Sequence, residues 1–341
     1  MDKKKRVLVA LSGGVDSSAA AVLLQKAGYS CDGAILNLCG KENISGAKDV
    51  ASRLNMKFFV FDEQKCFHDA VVSPFIREYC SGNTPNPCIF CNKSLKFGTF
   101  LDRALSMGYD YIATGHYARI DCQNGIFRLL RAADRRKDQT YFLYQLTQKQ
   151  LSHLLFPIEK YEKADIRKFA AAADLPSADR SDSQDICFIP DGNYVTFLEN
   201  QGVELISGDF VDESGNLLGR HRGLPCYTIG QGKGLGIALG KHVYVLGKDA
   251  KTNTVTLGDD AALYRTSLAA YNVNWIMGMP NEPFRCHAKT RYSQTEAGCM
   301  VTPLGDDRIQ VDFDEPQRAI TPGQAVVLYD GDVVLGGGTI A

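Results

Sequence analysis

The chain has 341 residues, 45% hydrophobic and 23% charged, with a formal net charge of −1. That composition fits a soluble globular protein large enough for two or three domains. It excludes a bilayer span, since no apolar run approaches the ~18 residues one needs, and it leaves any nucleic-acid binding to local patches.

In chain order, apolar runs at 7–11, 31–38, 58–61 and 111–114 alternate with helical patterns at about 17–27, 45–55, 65–80 and 92–107. The alternation predicts an α/β fold built on a doubly wound parallel sheet, with its site at the carboxyl ends of the strands. A hairpin is expected at 117–131, where DCQNGIF carries an Asn-Gly turn, followed by helical stretches near 147–155 and 163–173. After about Asn200 the pattern turns β-rich: GDFVDESGNLLGRHRG and HVYVLGKDAKTNTVTLG read as hairpins, and short strands between Pro and Gly turns run from about 268. The expected domains are a catalytic domain at 1–195, a small central β-rich domain at 196–265 and a C-terminal β-barrel at 266–341.

The first strand enters SGGVDSS and then a helix. Backbone amides in such a turn, backed by the positive end of a helix, cradle phosphate oxygens. Ser12, Gly13, Gly14, Ser17 and Ser18 supply amides and hydroxyls, while the carboxylate of Asp16 in an anion site calls for a cation, for which magnesium on a pyrophosphate is the expectation. The G-x-x-x-x-G-K-[ST] pattern is absent, which argues against a loop that transfers a γ-phosphate. SGGVDSS resembles the PP-loop of ATP pyrophosphatases, and the resemblance implies cleavage of ATP to AMP and pyrophosphate.

Eleven scattered cysteines, odd in number, fit a reducing cytoplasm with some thiols kept for chemistry. The basic start MDKKKR leads to a glycine turn rather than a cleavage site, so no signal peptide is expected. GNTPNPCIFCNKSLKFG places Cys88 and Cys91 just before a helical stretch, where the helix end, Lys93 and Lys96 would lower a thiol's pKa. Cys187 lies in an apolar, strand-like run within SDSQDICFIP; Cys31, Cys39, Cys66, Cys226, Cys286 and Cys299 read as small buried hydrophobes. Zinc is disfavoured because no second CxxC or CxxH completes four ligands.

SGGVDSS, TPNPxxxCNKxxKFG, ATGHYAR, KDQTYFLYQL, SQDICFIP, GLPCYTIGQ and TPGQAVVLYDGDVVLGGG occur in this order. Together they resemble the bacterial tRNA-specific 2-thiouridylases of the MnmA type, nearly end to end. The resemblance implies a PP-loop domain, a small central domain and a barrel. It implies that ATP binds at Ala10, Leu11, Ser12, Gly13, Gly14, Val15, Asp16 and Ser17, with Leu36 and Gly115 beside the adenosine, and activates C2 of the anticodon wobble uridine. Sulfur then arrives as a persulfide on Cys187, and Cys91 acts as nucleophile, closing a disulfide with Cys187 that a reductant reopens. Asn86, Pro87 and Cys88 meet the target base, and His116, Lys137, Asp138, Gln139, Arg291, Tyr292 and Gln324 face the tRNA. The run Arg131, Arg135, Arg136, Lys137 has the right charge for phosphate. The implied partners are tRNAs reading Glu, Gln and Lys codons and a persulfide-carrying donor protein fed by a cysteine desulfurase.

The chain also departs from the family. Its best-known members carry Asp where Cys88 stands, and the substitution creates three thiols, Cys88, Cys91 and Cys187, that would suit a [4Fe–4S] cluster. Asn83 and Gly232 stand where many relatives have Arg, and the segment after Leu38 is short. The rival readings are another PP-loop adenylating enzyme and a non-catalytic tRNA-binding or redox-switch protein.

Overall fold

The structure is a computed structural model that describes residues 4–173, 175, 186–305 and 307–341. The strands are β1 Arg6–Ala10, β2 Ser30–Asn37, β3 Phe58–Asp62, β4 Tyr111–Ala113, the hairpin β5 Ala118–Gln123 and β6 Ile126–Arg131, and β7 Leu154–Leu155. β1, β2, β3, β4 and β7 form one sheet in the order β3-β2-β1-β4-β7, and every pairing is parallel. Val7, Leu8 and Val9 are fully buried because helices cover both faces, which is why these strands read as unbroken apolar runs. Each such side chain contributes about 1.5–3 kcal/mol of burial free energy. Asn124 and Gly125 both take positive φ, 52° and 79°, as the tight hairpin turn requires.

Two local expectations are corrected. The helix foreseen at 147–155 is only Gln148–Leu151, and Leu154–Leu155 instead pairs with β4 at the sheet edge. Pro157 disfavours helix in the residue before it, and the apolar Leu-Leu-Phe run is buried better as a strand. The run around Cys187 is a turn rather than a strand. Its flank is anchored by Phe188, whose ring packs 5.5 Å from Phe67, 5.4 Å from Phe75 and 5.1 Å from Phe197. Ser181–Asp185 of SDSQDICFIP lie outside the described residues.

The middle segment supplies β8 Gly208–Val211, β9 Leu217–His221, β10 Tyr244–Asp249 and β11 Thr254–Gly258, ordered β10-β11-β8-β9. The last segment supplies β12 Tyr264–Trp275, β13 Phe284–Lys289, β14 Ala297–Pro303, β15 Arg308–Arg318, β16 Ala325–Asp330 and β17 Val333–Ile340. These six close on themselves in the order β12-β15-β14-β13-β16-β17, with β17 paired back to β12. β17 also pairs with β6, so the hairpin of the first domain is hydrogen-bonded to the barrel. Arg135 and Arg119 with Asp332, and Arg131 with Glu296, add ion pairs across the same joint. Among the described residues no helix is long and apolar enough to cross a membrane.

Candidate active site

The sheet order reverses between β1 and β4, and the crevice at that switch point is where an open parallel sheet receives its ligand. SGGVDSS leaves β1, and Thr114-Gly115-His116-Tyr117 leaves β4. Helix α1, Val15–Lys26, starts from Gly14, which has no side chain to cap the first-turn amides. An acceptor from outside can therefore take them. Gly13 holds φ at +71°, and a Cβ there would come within 2.5 Å of Asn43 Nδ2, itself buried without a hydrogen-bond partner. A cradle lined by amides and an orphaned donor fits phosphate oxygens. The hydroxyls of Ser17 and Ser18 donate to the Gly14 carbonyl at 3.1 and 2.8 Å, fixing the loop's shape. Leu11 and Val15 are buried in the core, so the loop offers a nucleotide their backbone rather than their side chains. Ala10 and Leu36 pack half-buried against the adjacent core.

Asp16 has a different partner from the metal expected beside it. Lys163, at the start of helix Lys163–Ala172, places Nζ 2.8 and 2.7 Å from the two carboxylate oxygens, and the Tyr117 hydroxyl donates to Oδ1 at 2.9 Å. The cation in this anion site is a lysine 147 residues away in sequence. Gly115 explains how closely the two loops approach: a Cβ there would lie 2.6 Å from Ser17 N and 2.7 Å from Asp16 C.

The second half of the site is a helix running from Pro87 to Ser106, with a π-helical stretch at Asn92–Thr99. Such stretches are frequent at functional sites. Pro87 takes the first helical position, and the Asn86 side chain caps the helix by accepting the Cys88 N–H at 3.1 Å. Cys88 is exposed, and Cys91, one turn later, is 7% exposed and packed in the same cluster as Phe188 and Ile189. That cluster brings Cys187 to the helix; Cys187 is itself exposed.

The expected lowering of the thiol pKa does not occur. Burial pushes Cys91 up to about 11, with Lys96 opposing and the charges of Cys187, Cys88 and Cys39 adding to the rise. Burial likewise raises Cys88 and Cys187, again against Lys96. Cys91 sits a full turn inside the helix, where loss of solvent outweighs the helix end. Lys96 is thus the shared cation of all three thiols, and no pKa effect of Lys93 on them is found.

His116 joins the two halves. Its ring lies 5.4 Å from Phe97 and 6.0 Å from Phe156, and Nδ1 is 2.6 Å from Thr114 Oγ1. Burial, with Lys96 second, holds the imidazole well below its ordinary pKa, so it is neutral at pH 7.

The remaining predicted residues divide between surface and framework. Asp138 accepts from Thr140 Oγ1 at 2.6 Å, and Gln139 Oε1 accepts the Tyr117 N–H at 3.0 Å; both brace the loop that holds Asp16. Lys137 follows at the half-buried edge of that loop. Arg131 and Arg135 are engaged by Glu296 and Asp332, which tempers the basic run. Arg291 donates to the Ile229 and Ala319 carbonyls at 3.0 and 3.2 Å, tying the middle segment to the barrel. Tyr292 is exposed, its ring tilted against that of Phe142 with centroids 4.5 Å apart. Gln324 Nε2 donates to the Thr84 carbonyl at 2.6 Å, and Thr84 N–H donates to the Pro322 carbonyl at 2.9 Å. The TPGQ turn of the barrel therefore docks on the NTPNP approach to the thiol helix. A cavity of about 460 Å³ lies beside this joint, lined by Asn86, Phe90, Lys93, Gln145 and Asn274.

Sequence reasoning missed Lys163 and Lys96's central position, and it took Cys39 for a bystander. Cys39 lies just past β2, its thiol donates to Glu42 Oε1 at 3.3 Å, and its charge is felt at Cys91. The one available signal was the need of Asp16 for a cation. Among the described residues no group of three His, Cys, Asp or Glu side chains is arranged to hold a metal ion. The structure thus gives no support to Cys88, Cys91 and Cys187 as the ligand set of a [4Fe–4S] cluster. All described cysteines are free thiols.

At Gly232 a Cβ would lie 2.7 Å from the Tyr244 ring. Asn83 donates to Glu78 Oε2 at 2.6 Å.

Three family profiles cover the chain: "tRNA methyl transferase HUP domain" at 5–191, "tRNA methyl transferase PRC-barrel domain" at 195–259 and "Aminomethyltransferase beta-barrel domain" at 265–340. The fold is accordingly a HUP-type α/β domain with a parallel sheet, a PRC-barrel and a closed six-stranded barrel. The tRNA-specific 2-thiouridylase MnmA of Acetivibrio thermocellus is 46% identical over 99% of both chains. The proteins of that name from Roseiflexus castenholzii (98% of this chain, 99% of the relative) and Carboxydothermus hydrogenoformans (99% and 98%) are each 45% identical. With a PP-loop at the switch point and a helix carrying paired thiols beside it, this chain belongs to the tRNA-specific 2-thiouridylase MnmA family.

Proposed function

We propose that the protein is an ATP-dependent tRNA uridine 2-sulfurtransferase acting on the wobble uridine. The observation that carries the reading is the joining of two kinds of machinery: Gly115 packs on the start of α1 in the phosphate loop, while the next residue, His116, lies against Phe97 and within the field of the Lys96 that faces the thiols. A phosphate cradle alone would suit any adenylating enzyme, and thiols alone would suit a redox protein.

ATP is a substrate here. The first-turn amides of α1 and the Asn43 amide hold its phosphates, and magnesium fits as a counter-ion of those phosphates rather than as a ligand of Asp16, whose carboxylate is already held by Lys163 and Tyr117. The uridine C2 oxygen attacks the α-phosphorus and pyrophosphate leaves, which turns a poor leaving group into AMP. A persulfide on Cys187 supplies sulfur. Cys91 attacks Cys187 Sγ, a Cys91–Cys187 bond forms, and the released sulfide displaces AMP from C2. The two thiols lose two electrons to the sulfane sulfur, and an external dithiol returns them. Lys96 stabilises each thiolate as it forms, and neutral His116 accepts or donates a single hydrogen bond in the water-poor wall between them. The donor protein, the Glu, Gln and Lys acceptors, and a cytoplasmic setting belong to this reading.

Nucleoside mass spectrometry on unmodified tRNA with ATP, magnesium and a persulfide source tests it. 2-Thiouridine in the wild type and none in Cys91→Ser or Cys187→Ser supports the reading. Pyrophosphate release without a thiolated base leaves only the adenylating loop, and a methylated base instead would turn attention to the methyl transferases for which two of the profiles are named.

A further inference from the structure

Two of the buried thiols take no part in the chemistry above. Cys286 on β13 and Cys299 on β14 are directly opposed in the antiparallel ladder, and their Sγ atoms are 3.8 Å apart, at van der Waals contact. The Cys299 thiol also donates to the Cys286 carbonyl at 3.6 Å. Directly opposed residues of such a ladder have Cα atoms about 4.5 or 5.5 Å apart. Both spacings fall inside the range of about 4.4–6.8 Å that a disulfide spans. Side-chain rotation is therefore enough to bring the sulfurs to bonding distance, with no slip of register. Neither sulfur carries out a packing task that forbids this, since both already fill adjacent space in the barrel core beside Val301 and Leu328.

We propose that Cys286 and Cys299 are an oxidative modification site, closing to an intramolecular disulfide under attack by a peroxide. Cys286 is 7% exposed and Cys299 fully buried, so the peroxide meets Cys286 first. The Cys286 thiol takes one oxygen to become a sulfenic acid, and the other oxygen of the peroxide leaves as water. Cys299 then displaces the sulfenic oxygen as water, and the S–S bond forms; the thiols lose two electrons and the peroxide gains them. A dithiol reverses the step. The bond staples the base of the loop at 290–296, which carries Arg291 and, through it, the contacts to Ile229 and Ala319 that tie barrel to middle segment. The modification is independent of the sulfur-transfer reading.

Full-length protein is treated with hydrogen peroxide, quenched, denatured, alkylated and digested with trypsin without reduction. Cleavage after Arg285, Lys289, Arg291 and Arg308 isolates Cys286 in peptide 286–289 and Cys299 in peptide 292–308. The expected result is these two peptides joined, two hydrogens lighter than their sum, with the product lost after dithiol treatment and from Cys299→Ala. Recovery of both peptides fully alkylated, at a dose that has oxidised the exposed Cys66, Cys80 and Cys122, overturns the proposal. So does Cys286 recovered as sulfinic acid with no cross-link. Because the readout uses the wild-type chain, it does not depend on how the variant folds.

Discussion

Lys163→Met is the sharpest perturbation of the phosphate site. The ammonium lies 2.8 and 2.7 Å from the two oxygens of Asp16, with side-chain exposures of 11% for the lysine and 29% for the aspartate. Removing one partner of a fully buried pair costs about 3–5 kcal/mol, because the other charge is left uncompensated. Asp16 retains the Tyr117 hydroxyl and some contact with water, so we expect less than that range, about 2–3 kcal/mol. The unpaired carboxylate also stands at the mouth of an anion cradle, where it repels the triphosphate. At about 1.4 kcal/mol per tenfold, the expected loss of ATP affinity is at least tenfold. A cycle with Asp16→Asn, read by calorimetric ATP titration and by thermal unfolding, separates the pair from general damage. The double variant should be less impaired than Lys163→Met alone, since removing the orphaned charge removes the penalty. If Lys163→Met binds ATP and unfolds as the wild type does, or if the two changes simply add, Lys163 is not the cation of this site.

The thiols give a pH prediction. With Cys91 at about 11, the reactive thiolate is a minor species at neutral pH, and single-turnover sulfur transfer should rise about tenfold per pH unit from 7 towards 9. Lys96 lowers Cys91 and His116 alike, so Lys96→Met should raise both: alkylation of Cys91 shifts to more alkaline pH and the His116 ring titrates higher by NMR. A shift in only one of them would break the shared-cation argument. Cys88→Ser should keep most thiolation in air, because no metal-binding group involving Cys88 is found among the described residues; complete loss would return Cys88 to the chemistry. Gly232→Arg should destabilise by about 1–3 kcal/mol through overpacking on Tyr244, and Tyr244→Ala should relieve it. An unchanged melting profile for Gly232→Arg alone would refute that contact.

Much of the sheet was legible because each strand announces itself locally: four apolar runs became β1 to β4, and the Asn-Gly pair became the turn of the β5/β6 hairpin. The start of the thiol helix was not legible: the stretch was expected from 92, whereas the helix begins at Pro87 with Asn86 as its cap. What was not legible is whatever depends on which segments meet. Nothing near Lys163 in sequence says that it faces Asp16. The pKa of Cys91 was misjudged because a helix end is a local feature, whereas the aromatic cluster that desolvates the thiol is assembled from residues between Phe67 and Leu198. β7 was missed because two residues are too few for a period, and only their register against Ile112 and Ala113 makes them a strand.

Within the proposed reaction, exposure assigns the two sulfur roles more firmly than sequence order does. A sulfur donor of protein size can reach Cys187, which is exposed on a turn, but not Cys91 at 7% exposure. The persulfide of the proposed reaction is therefore loaded on Cys187. Cys91 approaches from the buried side of the same cluster, where a protonated thiol is shielded from stray oxidants and disulfide partners until the substrate is in place. A low-pKa thiol at that position would be a better nucleophile at every moment, including those when no uridine is bound. Burial makes Cys91 slow in isolation, and Lys96 lowers the cost of ionising it on the face shared with Cys187. On this argument Cys91 should react far more slowly than Cys187 with a bulky maleimide, and about equally with a small alkylating agent at pH high enough to ionise both. Equal rates with the bulky reagent at neutral pH would reverse the assignment of the two roles.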